Sequence, residues 1–479
     1  MARTITHRRG YNYLSRNRLS REQAAMINES FARMRHSIPL KYRKKKNIKK
    51  GPRTNYSDTQ PVTVYVMLPL GIINMECELV YSSDDLMSQL TTLESIGVDG
   101  ITVNICWGIV EANKPRDYNW EGYKQLFSII RQLGFKMQVL MSFHECVGDD
   151  AHIPLPKWIK EIGQKNPDIY FTDRQGTRNT ETLTWGIDEE RVLGDRTAVE
   201  VYTDYMRSFR DEFDELFQDL SILEVEVGLG ACGELRYPPS CSGEFHFQCY
   251  DKYLRKSLEK AAETAQDSSW GTPPDCSTFF CDDRDYDSPR GTFFLKWYSQ
   301  CLIDHGVRVL KMAVPLFKPP ITSVKLSGMH WGYATDNHAA ERATGFYDGC
   351  KPIASMLRKH GAHLNFTCVE PDEFVWKVEN AGWGAGIGVA SENAFPCYDR
   401  QGYMKILEVA KPRNDLFDRC IASFTYRRLN QTLLEQNNLR EFELFIKKMH
   451  GTIKKYEDFI VDDPVALRTR AGLKKSERV

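Results

Sequence analysis

The chain of 479 residues is 42% hydrophobic and 27% charged, an ordinary balance for a globular enzyme, and no window approaches the ~18–20 unbroken apolar residues of a membrane span. Thirteen cysteines are scattered singly, without a C-x-x-C pair, which argues against a zinc site or disulfide framework and for reduced thiols in an intracellular compartment. Basic and acidic residues cancel at 64 each, yet residues 1–53 hold sixteen Lys/Arg against only Glu22 and Glu29, so the rest of the chain is acidic.

Residues 1–58 therefore read as a separate basic leader, a targeting segment or a solvated tail. They lack the apolar stretch of a secretory signal, so secretion is not expected. Their Arg-rich, acid-poor composition suits a plastid transit peptide, while "KYRKKKNIKKGPR" also fits a nuclear-localisation or anion-binding patch. Plastid, cytoplasm and nucleus all stay open. A nucleic-acid partner is not expected, because only the leader favours one and the acidic body opposes it.

From Pro61 onward, short strand-like runs alternate with amphipathic helical patterns. In chain order the reading is strand 62–70, helix 83–97, strand 100–108, helix 119–134, strand 136–144, helix 196–217, strand 222–230 and helix 290–313. Strand 324–331, helix 350–361, strand 363–370, helix 373–382, strand 386–393, helix 402–411, strand 420–428 and helix 440–451 follow. Eight such units predict an α/β fold, a (β/α)8 TIM barrel over 59–455, with a C-terminal tail at 456–479. The strands are expected to be apolar on both faces, since both are buried. Long insertions at 145–200 and 232–295 follow strands three and four, at the rim where such barrels build their sites.

Polar residues collect near the strands' C-terminal ends: Asn104, His144, Glu226, Lys325, His330, Thr367, Glu392, Asn393 and Arg428. The turn "GLGACGE" after strand four adds Glu234, in a Gly-rich setting expected to let a ligand lie close against the backbone. Two carboxyls on separate strands, among aromatic, amide and cationic groups, describe a sugar site and the chemistry of glycoside hydrolysis. Glu234, shielded from water, is the expected acid, and Glu392 the expected base. A phosphate-binding loop, H-E-x-x-H and G-x-S-x-G are all absent, and neither a metal nor a cofactor is expected.

The stretches "VYVMLPLG", "VDGITVNICWGIVE", "MSFHEC", "EVEVGLGACGELRYP", "FFLKWYSQCLIDHG" and "SENAFPCYD" follow in order those of the β-amylases, and the body from about Pro61 to Gly451 resembles that family. The resemblance implies exo-acting, inverting hydrolysis of α-1,4-glucans with release of β-maltose, and a glucan as the partner. By position it makes Glu234 the general acid and Glu392 the general base. It places Asn104, His144, Asp149, Lys325, His330, Thr367, Asn393 and Arg428 along the glucan subsites, with Asp149 on a mobile lid. A monomer is expected.

Three departures stand out. Asn104 occupies the place of a family Asp, losing a charge that would help an oxocarbenium-like transition state. The lid's Gly-rich segment is reduced to Val147-Gly148-Asp149, and Gly332 replaces a Trp. These changes leave two alternatives, a β-amylase of lowered activity and an inactive relative that keeps the cleft for glucan binding or regulation.

Overall fold

The computed structural model describes residues 59–452, except 149, 240–245, 276–278, 281–284, 327–341, 369–372, 413–414 and 416. The expected leader and C-terminal tail lie outside the described residues, as do Asp149 and His330. Eight parallel strands close into a barrel: β1 (Thr63–Met67), β2 (Gly100–Cys106), β3 (Lys136–Ser142), β4 (Ile222–Val227), β5 (Ile321–Leu326), β6 (His363–Cys368), β7 (Val389–Asn393) and β8 (Ser423–Arg427). The β1–β8 pair, Thr63 opposite Ser423 through Met67 opposite Arg427, is the seam that closes it. The (β/α)8 reading is thus observed. The fifth strand, however, starts three residues earlier than the sequence pattern suggested, because "ITS" after Pro320 is already extended.

The helices are α1 (Ser83–Ser95), α2 (Glu121–Gln132), α3 (Ala198–Glu212), α4 (Pro289–Phe317), α5 (Lys351–His360), α6 (Glu373–Ala385), α7 (Arg400–Ala410) and α8 (Gln436–Met449). Their starts are written locally. Ser82 accepts the Asp85 N–H, Asp399 accepts the Gly402 N–H, and Thr197 and Glu200 form a reciprocal capping box on α3. α5 stops at Gly361, whose φ of 74° few side chains tolerate. Among the described residues no helix is long and apolar enough to cross a membrane.

The expectation of strands apolar on both faces needs correction. Outward residues Val64, Val103, Val139, Val225, Val324, Leu364 and Phe424 are fully buried against the helices, each contributing roughly 1.5–3 kcal/mol. The inward face is polar. Gln138 Oε1 accepts from both Thr102 and Thr425, at 2.8 and 2.9 Å, tying three strands together across the barrel interior. The barrel therefore presents a polar floor to whatever sits above it.

Candidate active site

Strand alternation and register decide which side chains meet inside the barrel. Asn104 pairs with Leu140, Leu140 with Glu226, Glu226 with Ser323, Lys325 with Asn365, Thr367 with Glu392, and Glu392 with Thr425. One face thus carries Asn104, Glu226, Lys325, Asn365, Thr367, Glu392 and, two beyond Thr425, Arg427.

Glu392 is fully buried, and its two oxygens differ. Oε1 contacts the Lys325 ammonium, accepts from Arg427 Nη1 at 3.3 Å and from the Thr367 hydroxyl at 3.4 Å. Oε2 is buried without a hydrogen-bond partner. Burial alone would raise its pKa, but the charges of Lys325 and Arg427 outweigh that and hold the carboxyl below its ordinary value. Beside it, Glu226 accepts from Asn365 Nδ2 at 2.6 Å. Burial pushes Glu226 up to about 7; Lys325 and Asn365 oppose the rise, while Glu392 and Glu224 add to it. The site thus holds a charged carboxylate next to one that titrates near neutrality.

Glu234 reaches the rim by another route. After β4 the chain turns through 228–233, and Glu234 then pairs as an isolated parallel bridge with Lys325. Leu235 N–H donates to the Lys325 carbonyl at 2.8 Å. The glycines allow this fold-back, and Gly228 and Gly233 also line the cavity described below. A Cβ on Gly230 would sit 2.6 Å from the Glu234 carbonyl oxygen and 2.7 Å from that of Arg236. Gly233 has a φ of +77°, with the His144 ring 3.1 Å from where its Cβ would be. Glu234 is buried as expected, but it is not a lone shielded acid: Arg236 Nε donates to its Oε2 at 2.6 Å.

The remaining candidates separate by parity. His144 stands on the wall of a cavity of about 230 Å³ together with Asn104, Glu226, Lys325, Arg427 and Arg428. Burial, then the charges of Lys325, Arg236 and Arg427, push the His144 imidazole down to about 3, so it is neutral at ordinary pH. Asn104 Nδ2 is buried without a partner. Asn393 lies on the opposite strand face from Glu392. Its Nδ2 donates to the Phe395 and Arg427 carbonyls, and its Oδ1 accepts the Arg427 N–H at 2.7 Å. It clamps the end of β8 and, like Glu392, Glu234 and Thr367, is not among the residues lining that cavity. Arg428 lines the cavity and donates to the Leu68 carbonyl, but Arg427 is the arginine that reaches Glu392. The sequence reading missed Arg427, Arg236 and Asn365. Counting alternate positions from Thr425 and from Lys325's partner would have found Arg427 and Asn365.

The segment expected to form a shortened lid pairs Cys146–Val147 with His152–Ile153, and the Asp150 carboxylate accepts the Gly71 N–H at 2.7 Å. His152 pairs with Glu145. Among the described residues no group of three His, Cys, Asp or Glu side chains is placed to hold a metal.

Residues 65–455 match the model of Glycosyl hydrolase family 14. The chain belongs to that family. It is 55% identical over 439 residues to "Beta-amylase 2, chloroplastic" of Arabidopsis thaliana, covering 83% of this chain and 81% of the relative. It is 42% identical over 434 residues to the "Beta-amylase" of Glycine max, covering 81% and 87%. The crystal structure of the catalytic domain of the Paenibacillus polymyxa β-amylase superposes with a TM-score of 0.70 at 25% identity, covering 82% of this chain and 99% of that one. The family 14 barrel is a glycoside hydrolase, and its substrate is a glucan.

Proposed function

We propose that this family 14 hydrolase is a β-amylase that cuts α-1,4-glucans from the non-reducing end with inversion, Glu234 acting as general acid and Glu392 as general base. The observation that carries the reading is the asymmetry of Glu392: three donors fix Oε1, and Oε2 is left to take a proton from water. A base must be charged at working pH, and Lys325 and Arg427 keep it so.

Inversion needs the two carboxyls ~6.5–9.5 Å apart, leaving room for that water. Lys325 standing between them supports such a gap, since its backbone pairs with Glu234 and its ammonium touches Glu392. Arg236 engages one oxygen of Glu234, which leaves Oε1 to reach the bridging oxygen of the glucan. His144, neutral, and the Asn104 amide are suited to sugar hydroxyls. Asn104 in place of a carboxylate also lowers transition-state stabilisation, so turnover is slower than with Asp there.

Both acids come from one barrel, so a monomer suffices. The Arg-rich, acid-poor leader, with a chloroplastic relative, supports a plastid address, which import into isolated chloroplasts tests. The enzymatic reading is tested by maltose release from maltopentaose. Glu234→Gln and Glu392→Gln should each lose about 10²–10⁴-fold in rate while maltose still binds by calorimetry. Equal rates in wild type and variants would sink the assignment.

A further inference from the structure

The long insertion after β3 carries a hairpin, Tyr170–Thr172 against Arg178–Leu183, whose register breaks between Tyr170 and Phe171. Tyr170 pairs with Leu183 and Phe171 with Asn179, so Thr180, Glu181 and Thr182 bulge from the ladder. Bulges re-aim side chains, and this one places Glu181 on the cavity wall with His144, Cys232 and Gly233. The bulge is itself tied down. Asn179 Oδ1 accepts the Glu181 N–H at 3.1 Å, and the Glu181 carbonyl accepts the Glu145 N–H at 2.7 Å. Glu181 Oε1 then accepts the N–H of Cys232 at 2.6 Å, 51 residues further along the chain. No step of the proposed hydrolysis uses this carboxyl.

Cys232 is a strained point of the turn that carries Glu234. Its φ of 56° lies in the left-handed region, where a side chain is strained and a glycine is not. With Gly233 following at +77°, it reverses the chain, so that the Glu234 N–H meets the Ala231 carbonyl at 3.0 Å and Glu234 pairs with Lys325. Trp185, from the same insertion, grips the other end of the turn, its Nε1 donating to the Leu229 carbonyl at 3.1 Å. A carboxylate accepting a backbone N–H is among the stronger hydrogen bonds, and here it offsets the strain at Cys232.

We propose that Glu181 is a positioning residue for the general acid: by holding the Cys232 N–H it fixes the turn in the conformation that aims Glu234 at the bridging oxygen of the glucan. The proposal rests on the reading of Glu234 as that acid. Without the carboxyl, Cys232 relaxes toward negative φ, and Gly233 and Glu234, next in the chain, move with it. The defect is specific. A displaced acid fails to protonate the leaving oxygen, while Glu392, held on β7 by Lys325, Arg427 and Thr367, still activates water. The loss should therefore depend on the leaving group, since a sugar alkoxide needs the proton and fluoride leaves with little help from an acid.

The test measures kcat and KM of the full chain and its variants on maltopentaose and on α-maltosyl fluoride. Glu181→Ala should lower kcat on maltopentaose on the order of a hundredfold, the cost of a ~1 Å misplacement, with KM changed by less than about threefold. On the fluoride its kcat should fall by less than about tenfold. Glu181→Gln, which still presents a carbonyl oxygen to the Cys232 N–H, should recover most of the rate. Adding Cys232→Gly to Glu181→Ala should recover about tenfold or more, because glycine adopts the left-handed conformation unaided. Should Glu181→Ala not fold, Glu181→Asp, whose shorter side chain falls short of that N–H, is read in the same way. Equal losses on the two substrates, or no loss on maltopentaose, would overturn the proposal. Glu234→Gln on the same pair separates the two readings. A loss confined to maltopentaose there, but not in Glu181→Ala, overturns this proposal alone; equal losses there overturn the acid assignment and this proposal with it.

Discussion

Glu392 holds a charge inside the barrel because two cations and a hydroxyl converge on one of its oxygens. Taking Lys325 away would leave burial as the larger influence. Lys325→Met should therefore raise the Glu392 pKa and move the acid limb of the kcat/KM profile to higher pH. The same variant should lose about 3–5 kcal/mol of stability, since it breaks a buried ion pair from one side. A profile that does not move would mean that Lys325 serves only the fold. Asn104→Asp makes the complementary prediction: restoring a carboxylate at the end of β2 should raise the rate of maltose release by about tenfold, or about 1.4 kcal/mol in barrier. Both acids and the lysine were legible in the sequence because each stands beside a strand end in a distinctive turn or run. Arg427 was not, because "RR" offers two arginines and only the register from Thr425 shows which one faces inward. Asn393 stands next to Glu392 in the chain but on the other face of β7, where it holds the end of β8.

The turn between β4 and Glu234 is the element on which the site depends. Its glycines were visible, but the part Gly230 plays was not, since its close approach is between the chain and itself. Gly230→Ala would press a methyl group against two carbonyl oxygens. It should displace Glu234, destabilise the protein by about 1–3 kcal/mol and abolish maltose release, checked by thermal unfolding and assay. Wild-type activity in that variant would show that the turn tolerates rearrangement. The start of α1 after the Ser82 cap was legible because the cap is a local signal, whereas the starts read at 196, 402 and 440 are observed at Ala198, Arg400 and Gln436. The fifth strand's early start was not legible: it follows a Pro-Pro pair, and its pairing with β4 and β6 is set by partners distant in the chain.

Across the whole molecule, eight strand–helix units stated the barrel in the sequence, while the polar interior stayed hidden because alternation within such short strands was masked by β-branched neighbours. That interior links stability to pH. Glu226 titrates near 7 in the folded protein, above its ordinary value, so the folded state favours its proton. Stability should fall as pH climbs from the ordinary carboxyl range to about 7, and level off beyond. Glu226→Gln should flatten that slope in urea unfolding measured across this window; an unchanged slope would contradict the assignment. His144 acts from the other side. Its folded value near 3 lies below the ordinary 6.5, so stability should fall as pH drops between the two. The most direct measurement follows the anomer released from maltopentaose by NMR in real time, with Glu392→Gln as the control. The expected result is β-maltose appearing first and mutarotating afterwards, with none from the variant. Release of α-maltose, or β-maltose unaffected by loss of the Glu392 carboxylate, would contradict inversion by this pair.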